Sequence, residues 1–113
     1  MAKTKLIPRT PSAYDPPLLI KTLFAQAVRY NPQREIVYRD LFRMNYTTFD
    51  KRVRQLANVL TNAGVEAGDT VAVMDWDSHR YLECFFCIPC LGAILHTINV
   101  RLSPAQILYT MNH

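Results

Sequence analysis

Residues 46–73 read Y-T-T-F-D-K-R-V-R-Q-L-A-N-V-L-T-N-A-G-V-E-A-G-D-T-V-A-V, and this stretch decides the fold class. Thr47 is a good helix N-cap, with Asp50 three residues on as its capping-box-like partner. Phe49, Val53, Leu56, Ala57, Leu60 and Ala63 then share one face at helical spacing, while Lys51, Arg54, Gln55, Asn58 and Asn62 take the other. Gly64 stands where a left-handed C-terminal residue is wanted, since a residue without a Cβ reaches positive φ at little cost. Gly68-Asp69 turns the chain into the β-branched run Thr70 to Val73. Helix, glycine stop and strand start thus form one continuous phrase, with no catalytic group in it.

Working outward, Asp15-Pro16-Pro17 opens a helix over 18–30 with Ile20, Leu23, Phe24, Ala27 and Val28 inward, and Asn31-Pro32 closes it. Residues 35–39 alternate as a strand, and a turn at 40–43 leads to a short strand at 44–46. Beyond the quoted stretch, a strand over 70–75 runs to Asp77-Ser78, a helix start. The helix over 79–91 is apolar almost all round, which predicts burial on most sides, and Pro89 should kink it or end it early. Gly92-Ala93 is followed by a second buried strand over 94–98. Ser103-Pro104-Ala105-Gln106 then caps a last helix with proline at its first position and a capping-box glutamine. Strand, helix and strand over 70–98 make a βαβ unit with parallel strands. Parallel sheets are normally covered on both faces, and three or four helices are few for that task. The fold class is therefore α/β: a hairpin plus a βαβ parallel unit in an incomplete mixed sheet, the opening of a larger protein.

Half of the 113 residues are hydrophobic, enough for a packed core. No apolar run approaches the ~20 residues of a membrane-spanning helix. Residues 1–17, with Lys3, Lys5 and Arg9 among four prolines, lack a signal-peptide core and are read as a mobile arm, which makes the cytoplasm the expected location. The net charge of +4 divides into +7 for residues 1–54 and −3 for residues 55–113. The basic residues are strewn over a tail, two helices and a hairpin rather than gathered in a stripe, so no nucleic-acid partner is expected.

The ordered words Tyr46-Thr47, Phe49 to Val53, Leu56-Ala57, Gly64-Val65, Gly68-Asp69, Val71 to Val73, Asp77-Ser78, Tyr81 to Glu83, Phe85-Phe86 and Gly92-Ala93 resemble the N-terminal part of acyl-adenylate-forming (AMP-binding) enzymes. The run Gly92 to Pro104 (GAILHTINVRLSP) is similar to medium- and long-chain fatty-acyl-CoA ligases in particular. The resemblance runs from about residue 18 to the end, making 18–113 a partial domain of that kind. It implies an enzyme that joins a fatty acid to ATP, releases pyrophosphate, and lets CoA displace AMP, with Mg²⁺ balancing phosphate charge. The Ser/Thr/Gly-rich phosphate loop and the lysine that such enzymes use match nothing in this sequence. No catalytic, cofactor-binding or metal residue is therefore assigned, and the chain alone is expected to be inactive. ATP, Mg²⁺ and CoA belong to the full enzyme, and the partners expected are the rest of the ligase or a second copy. The alternative is a non-enzymatic module that pairs with a full-length ligase.

Three local patterns carry competing readings. Cys84, Cys87 and Cys90 form C-x₂-C-x₂-C, part of an iron–sulfur run that requires a fourth ligand; there is no other cysteine, which leaves His79 or His96 for that place. The apolar helical setting of the cysteines favours buried, unreactive thiols. Asp75, Asp77 and Glu83 have acid/base or metal chemistry open to them, with helix capping by Asp77 or Ser78 the plainer role, and His96 reads as a hydrogen-bonded core residue. Asn99 and Arg101, in the loop leaving the second parallel strand, are the candidates for an active-site-side loop. Their plainer role is a turn held by Asn and Arg hydrogen bonds.

Overall fold

A computed structural model describes residues 6–113. Its elements are α1 (Ile20–Tyr30), β1 (Glu35–Tyr38), β2 (Phe42–Asn45), α2 (Tyr46–Asn62), β3 (Thr70–Val73), α3 (His79–Cys90), β4 (Ile94–Thr97) and α4 (Pro104–Asn112). Order and type follow the sequence reading throughout. Lys3 and Lys5 of the expected arm lie outside the described residues, and residues 6–17 carry no helix or strand.

The strands form two separate two-stranded sheets rather than one mixed sheet. β1 and β2 are an antiparallel hairpin with Ile36 opposite Met44, and its second strand begins at Phe42, earlier than the sequence suggested. The turn is tighter than expected because Arg39 takes a left-handed conformation at φ 50°. β3 and β4 are parallel, with Thr70 opposite Ile94 and Val73 opposite Thr97, and α3 is the crossover. Ile94 N–H donates to Asp69 O at 2.7 Å and Ile98 N–H to Val73 O at 2.9 Å, closing the ladder at both ends.

Thr47 is not the cap of α2. The β2 strand runs directly into the helix, so the first non-helical residue is Asn45, whose side chain accepts from Thr48 N–H at 2.8 Å. Thr47 Oγ1 instead donates to Pro32 O at 3.2 Å, tying the helix start to the end of α1. Asp50 accepts from Arg54 Nε at 2.9 Å, one turn further along. Helix α1 also starts later than expected, at Ile20, with Leu19 as a cap that offers no side-chain acceptor. Asp15 pairs with Arg9. Only Phe24 of α1 is buried, and Leu23 is 65% exposed, because α2 and α3 meet this helix along one narrow stripe.

The core gathers Phe24, Met44, Phe49, Val53 and Cys87, with Phe86, Leu82 and Ile36 packed against it. It lies between the three helices and the hairpin. The β3–β4 sheet is far less covered: Ile94 is 56% exposed, so β4 is not the buried strand its composition suggested. Helix α3 is likewise not buried all round, since Phe85 and Cys90 face outward.

One glycine holds the crossover in place. Gly92 sits at φ 78°, its carbonyl accepts from Gly68 N–H at 2.9 Å, and a Cβ there would stand 3.2 Å from Ala67 Cβ. Left-handed strain and this contact act together, so Gly92→Ala is expected to cost about 1–3 kcal/mol in urea unfolding. Gly64→Ala, with open space around its Cβ, then loses only the conformational part. Equal losses at both positions would remove the Ala67 contact from the account.

Candidate functional site

The carboxyl ends of the two parallel strands open into a cleft of about 350 Å³, the position where open α/β sheets place ligands. Asp75, Trp76 and Asp77 from the loop after β3 form one wall, and Asn99 and Arg101 from the loop after β4 form the other. Tyr81, on the first turn of α3, completes the lining.

Each wall is fixed by local hydrogen bonds. The Asp75 carboxylate accepts from Ser78 Oγ, and from Trp76 N–H at 2.7 Å. These two donors, Ser78 the stronger, hold the Asp75 carboxyl below the usual carboxylate range. Ser78 Oγ in turn accepts from Arg80 N–H at 3.2 Å and Tyr81 N–H at 3.3 Å, so Ser78 rather than Asp77 caps α3. Asp77 adopts φ 49°, which turns the chain sharply from strand to helix. Across the cleft, Asn99 Oδ1 accepts from Arg101 N–H at 2.9 Å, the Asx-type turn expected of this pair. The Arg101 guanidinium lies 5.9 Å from the centroid of the Trp76 ring, bridging the walls by a cation–π contact.

The two residues singled out in sequence, Asn99 and Arg101, are thus brought together with Asp75 and Asp77. Trp76 and Tyr81 were missed, although Trp76 is the chain's single tryptophan and lies between two aspartates at a strand end. The cleft presents one cation laid on an aromatic face and two carboxylates, one already committed to two donors. It can position and orient a polar group. It contains no activated nucleophile, and the three glycines at 64, 68 and 92 each occupy their own turn, so the residues present do not fit a phosphate-cradling loop.

The other candidates resolve differently. Glu83 is a structural residue: it is 5% exposed and its carboxylate accepts from Arg52 Nε at 2.5 Å and Nη2 at 3.4 Å. His96 is only half-buried on β4, opposite Ala72, and not enclosed in a core. His79 stacks on Phe42 with ring centroids 4.3 Å apart, occupied with the hairpin rather than with the cysteines. No group of histidine, cysteine and acidic residues among those described could hold a metal ion.

Of the thiols, Cys87 is fully buried, Cys84 half-buried and Cys90 exposed, so the expectation of three buried thiols fails at Cys90. Burial nevertheless pushes all three up, Cys87 to about 11. A raised folded pKa means that the protonated thiol favours the fold. The contribution of Cys87 is therefore complete below about 8.5, the unfolded value, and is lost as pH rises toward 11. Urea midpoints measured from pH 8 to 10.5 are expected to fall with a steeper slope for the parent than for Cys87→Ala. Parallel slopes would show that Cys87 ionises equally easily in both states.

Residues 24–113 match the family model described as AMP-binding enzyme. The chain belongs to that family. Among AMP-binding relatives, it is 40% identical over 85 residues to a long-chain-fatty-acid–CoA ligase of Thermus thermophilus, covering 72% of this chain and 16% of that one. It is 36% identical over 101 residues to a 3-methylmercaptopropionyl-CoA ligase of Ruegeria pomeroyi, covering 86% of this chain and 19% of the other. The N-terminal subdomain of NpsA from Klebsiella oxytoca superposes with a TM-score of 0.78 at 20% identity, over 83% of this chain and 25% of that structure, which establishes the shared fold. The chain therefore spans less than a fifth of the length of these two ligases.

Proposed function

We propose that this chain is the opening part of the N-terminal domain of an ATP-dependent acyl-CoA ligase acting on fatty acids. The complete enzyme would form an acyl-adenylate with release of pyrophosphate, and CoA would then displace AMP. The observation that carries the reading is the family match over residues 24–113, together with relatives whose names specify CoA ligases. ATP, Mg²⁺ and CoA serve that complete enzyme. The residues of this chain supply neither a phosphate loop nor a reacting group to that chemistry.

Its contribution is scaffold and one wall of the active-site side: Asn99 sets the loop after β4, and Arg101, held over Trp76, presents a fixed cation there. The chain alone is expected to give no fatty-acid-dependent ATP–pyrophosphate exchange. Grafted in place of the matching segment of the Thermus thermophilus ligase, it is expected to support acyl-CoA synthesis. A folded chimera without activity would overturn the reading, as would exchange by the chain alone. In an active chimera, Arg101→Ala is expected to lower kcat/KM roughly tenfold with little change in stability, and an unchanged kcat/KM would remove Arg101 from the site.

A further inference from the structure

The net charge of the chain and its exposed apolar side chains gather in the same segment. Residues 1–30 hold Lys3, Lys5, Arg9, Lys21 and Arg29 against one acid, Asp15, a net +4. Residues 31–113 hold eight Lys/Arg against eight Asp/Glu, so the first thirty residues account for the whole net charge. Of the eighteen large hydrophobic side chains exposed among the described residues, eight stand between Leu6 and Tyr30. Leu6 and Ile7 lie on the arm, while Leu18, Leu19 and Ile20 stand at the tip of α1, where they share a shallow concavity with Pro89 of α3. Leu19, Leu23 and Tyr30, four and seven residues apart, continue the patch along α1, outside the stripe that α2 and α3 cover. The tip is also electropositive. Leu19 offers no side-chain cap and no acidic residue stands in the first turn, so the positive end of the helix dipole is uncompensated beside Leu18 and Lys21. Asp15 is taken by Arg9, whereas Lys21 and Arg29 form no ion pair among the described residues.

We propose that the arm and α1 together lay this patch on an anionic phospholipid surface. The leucines enter the boundary between headgroups and acyl chains, and Lys21, Arg29 and the basic residues of the arm meet the phosphates. Both halves of the patch are needed to choose this occupant. A nucleic acid would meet the cations and leave the leucines in water. The remainder of a ligase would cover the leucines without calling for a net charge confined to this segment. An anionic bilayer is negative at its surface and apolar just beneath, so it answers both. The contact is peripheral: no helix among the described residues is long and apolar enough to cross a membrane, and α1, with eleven residues, lies along the surface. Most of the patch precedes residue 24, where the family match begins, and the inference is read by binding alone, apart from any ligase chemistry.

The test sediments the purified full chain with sucrose-loaded vesicles, either of phosphatidylcholine alone or of phosphatidylcholine and phosphatidylglycerol in equal parts. Binding to the mixed vesicles is expected to be at least roughly tenfold tighter than to phosphatidylcholine, and to weaken as salt is raised. Lys21→Glu combined with Arg29→Glu, both at exposed positions, should weaken it roughly tenfold or more. Leu18→Ser combined with Leu23→Ser should weaken it by a similar factor. Leu108→Ser with Met111→Ser, an exposed apolar pair on α4, should leave it unchanged, and every variant should keep the circular dichroism spectrum of the parent. Absence of binding to the mixed vesicles by the folded chain would overturn the proposal. So would equal binding to both vesicle types, indifference to the charge reversals, or an equal loss from the α4 pair. A chain that ignores vesicles but forms a dimer broken by the Leu18 and Leu23 substitutions would overturn it in favour of a second copy.

Discussion

Phe49→Ala is expected to lower the unfolding free energy by about 3–5 kcal/mol, the largest loss for any single truncation in this chain. Phe49 is 3% exposed, and its ring meets Phe24 and Phe86 edge-on, each at 5.6 Å between centroids. Phe24 and Phe86 are themselves 5.0 Å apart, so one ring from each of α1, α2 and α3 closes a triangle. Removing the middle ring leaves a cavity that three helices cannot all collapse into, and forfeits two edge-to-face contacts. A domain of this size has roughly 5–15 kcal/mol of stability to lose. Urea unfolding followed by circular dichroism should therefore show a midpoint lowered by 1 M or more, at a slope of about 1–3 kcal/mol per molar. Leu108→Ala, at a position 62% exposed, should stay within about 0.5 kcal/mol of the parent. A Phe49→Ala loss below 1 kcal/mol would mean that the three helices are not joined through this ring.

The element order was legible because each boundary carries its own chemical sign. Gly64 at φ 93° stops α2, Ser78 caps α3, and Ser103 with Gln106 forms the full capping box of α4. The failures share a cause: local pattern cannot report what lies beside an element. Thr47 and Asn45 are both competent caps, and the choice was made by the β1–β2 pairing, which carries strand geometry up to Asn45. Ile20, Leu23 and Ile94 have the composition of inward residues but stand on faces that no described element covers. Periodicity marks which residues would suit burial, and topology decides whether a neighbour arrives.

The candidate site was legible only in part for a related reason. Asn99 and Arg101 could be chosen because a loop leaving a parallel strand is where α/β sheets hold ligands. That Arg101 rests on Trp76 depends on the β3–β4 register bringing two loops over 20 residues apart to one edge of the sheet, which residue spacing does not disclose. The same is true of Glu83. In the sequence it is one acidic residue in an apolar helix, open to an acid/base role. In the fold its partner Arg52 comes from a different helix, 31 residues away.

That pair makes the second large prediction. Glu83 is 5% exposed, and the Arg52 guanidinium both contacts its carboxylate twice and lies 5.7 Å from the centroid of the Phe42 ring. Phe42 in turn stacks on His79, so Arg52 joins α2, α3 and the hairpin at one point. Arg52→Met keeps much of the aliphatic packing but leaves a buried carboxylate without its cation, and is expected to cost about 2–4 kcal/mol. Since the Arg52 side chain is itself 35% exposed, water can reach that side of the pair, and the lower part of the range is favoured. Glu83→Met removes the carboxylate but strands the guanidinium, which can turn outward to solvent, so its loss should be smaller. The double variant settles the cause. If burial of an unpaired charge dominates, Arg52→Met with Glu83→Met is more stable than Arg52→Met alone, and the cycle shows a coupling of at least about 1 kcal/mol. If the two losses simply add, the contacts of Arg52 with Phe42 carry its effect. The ion pair would then hold the helices in register without stabilising them.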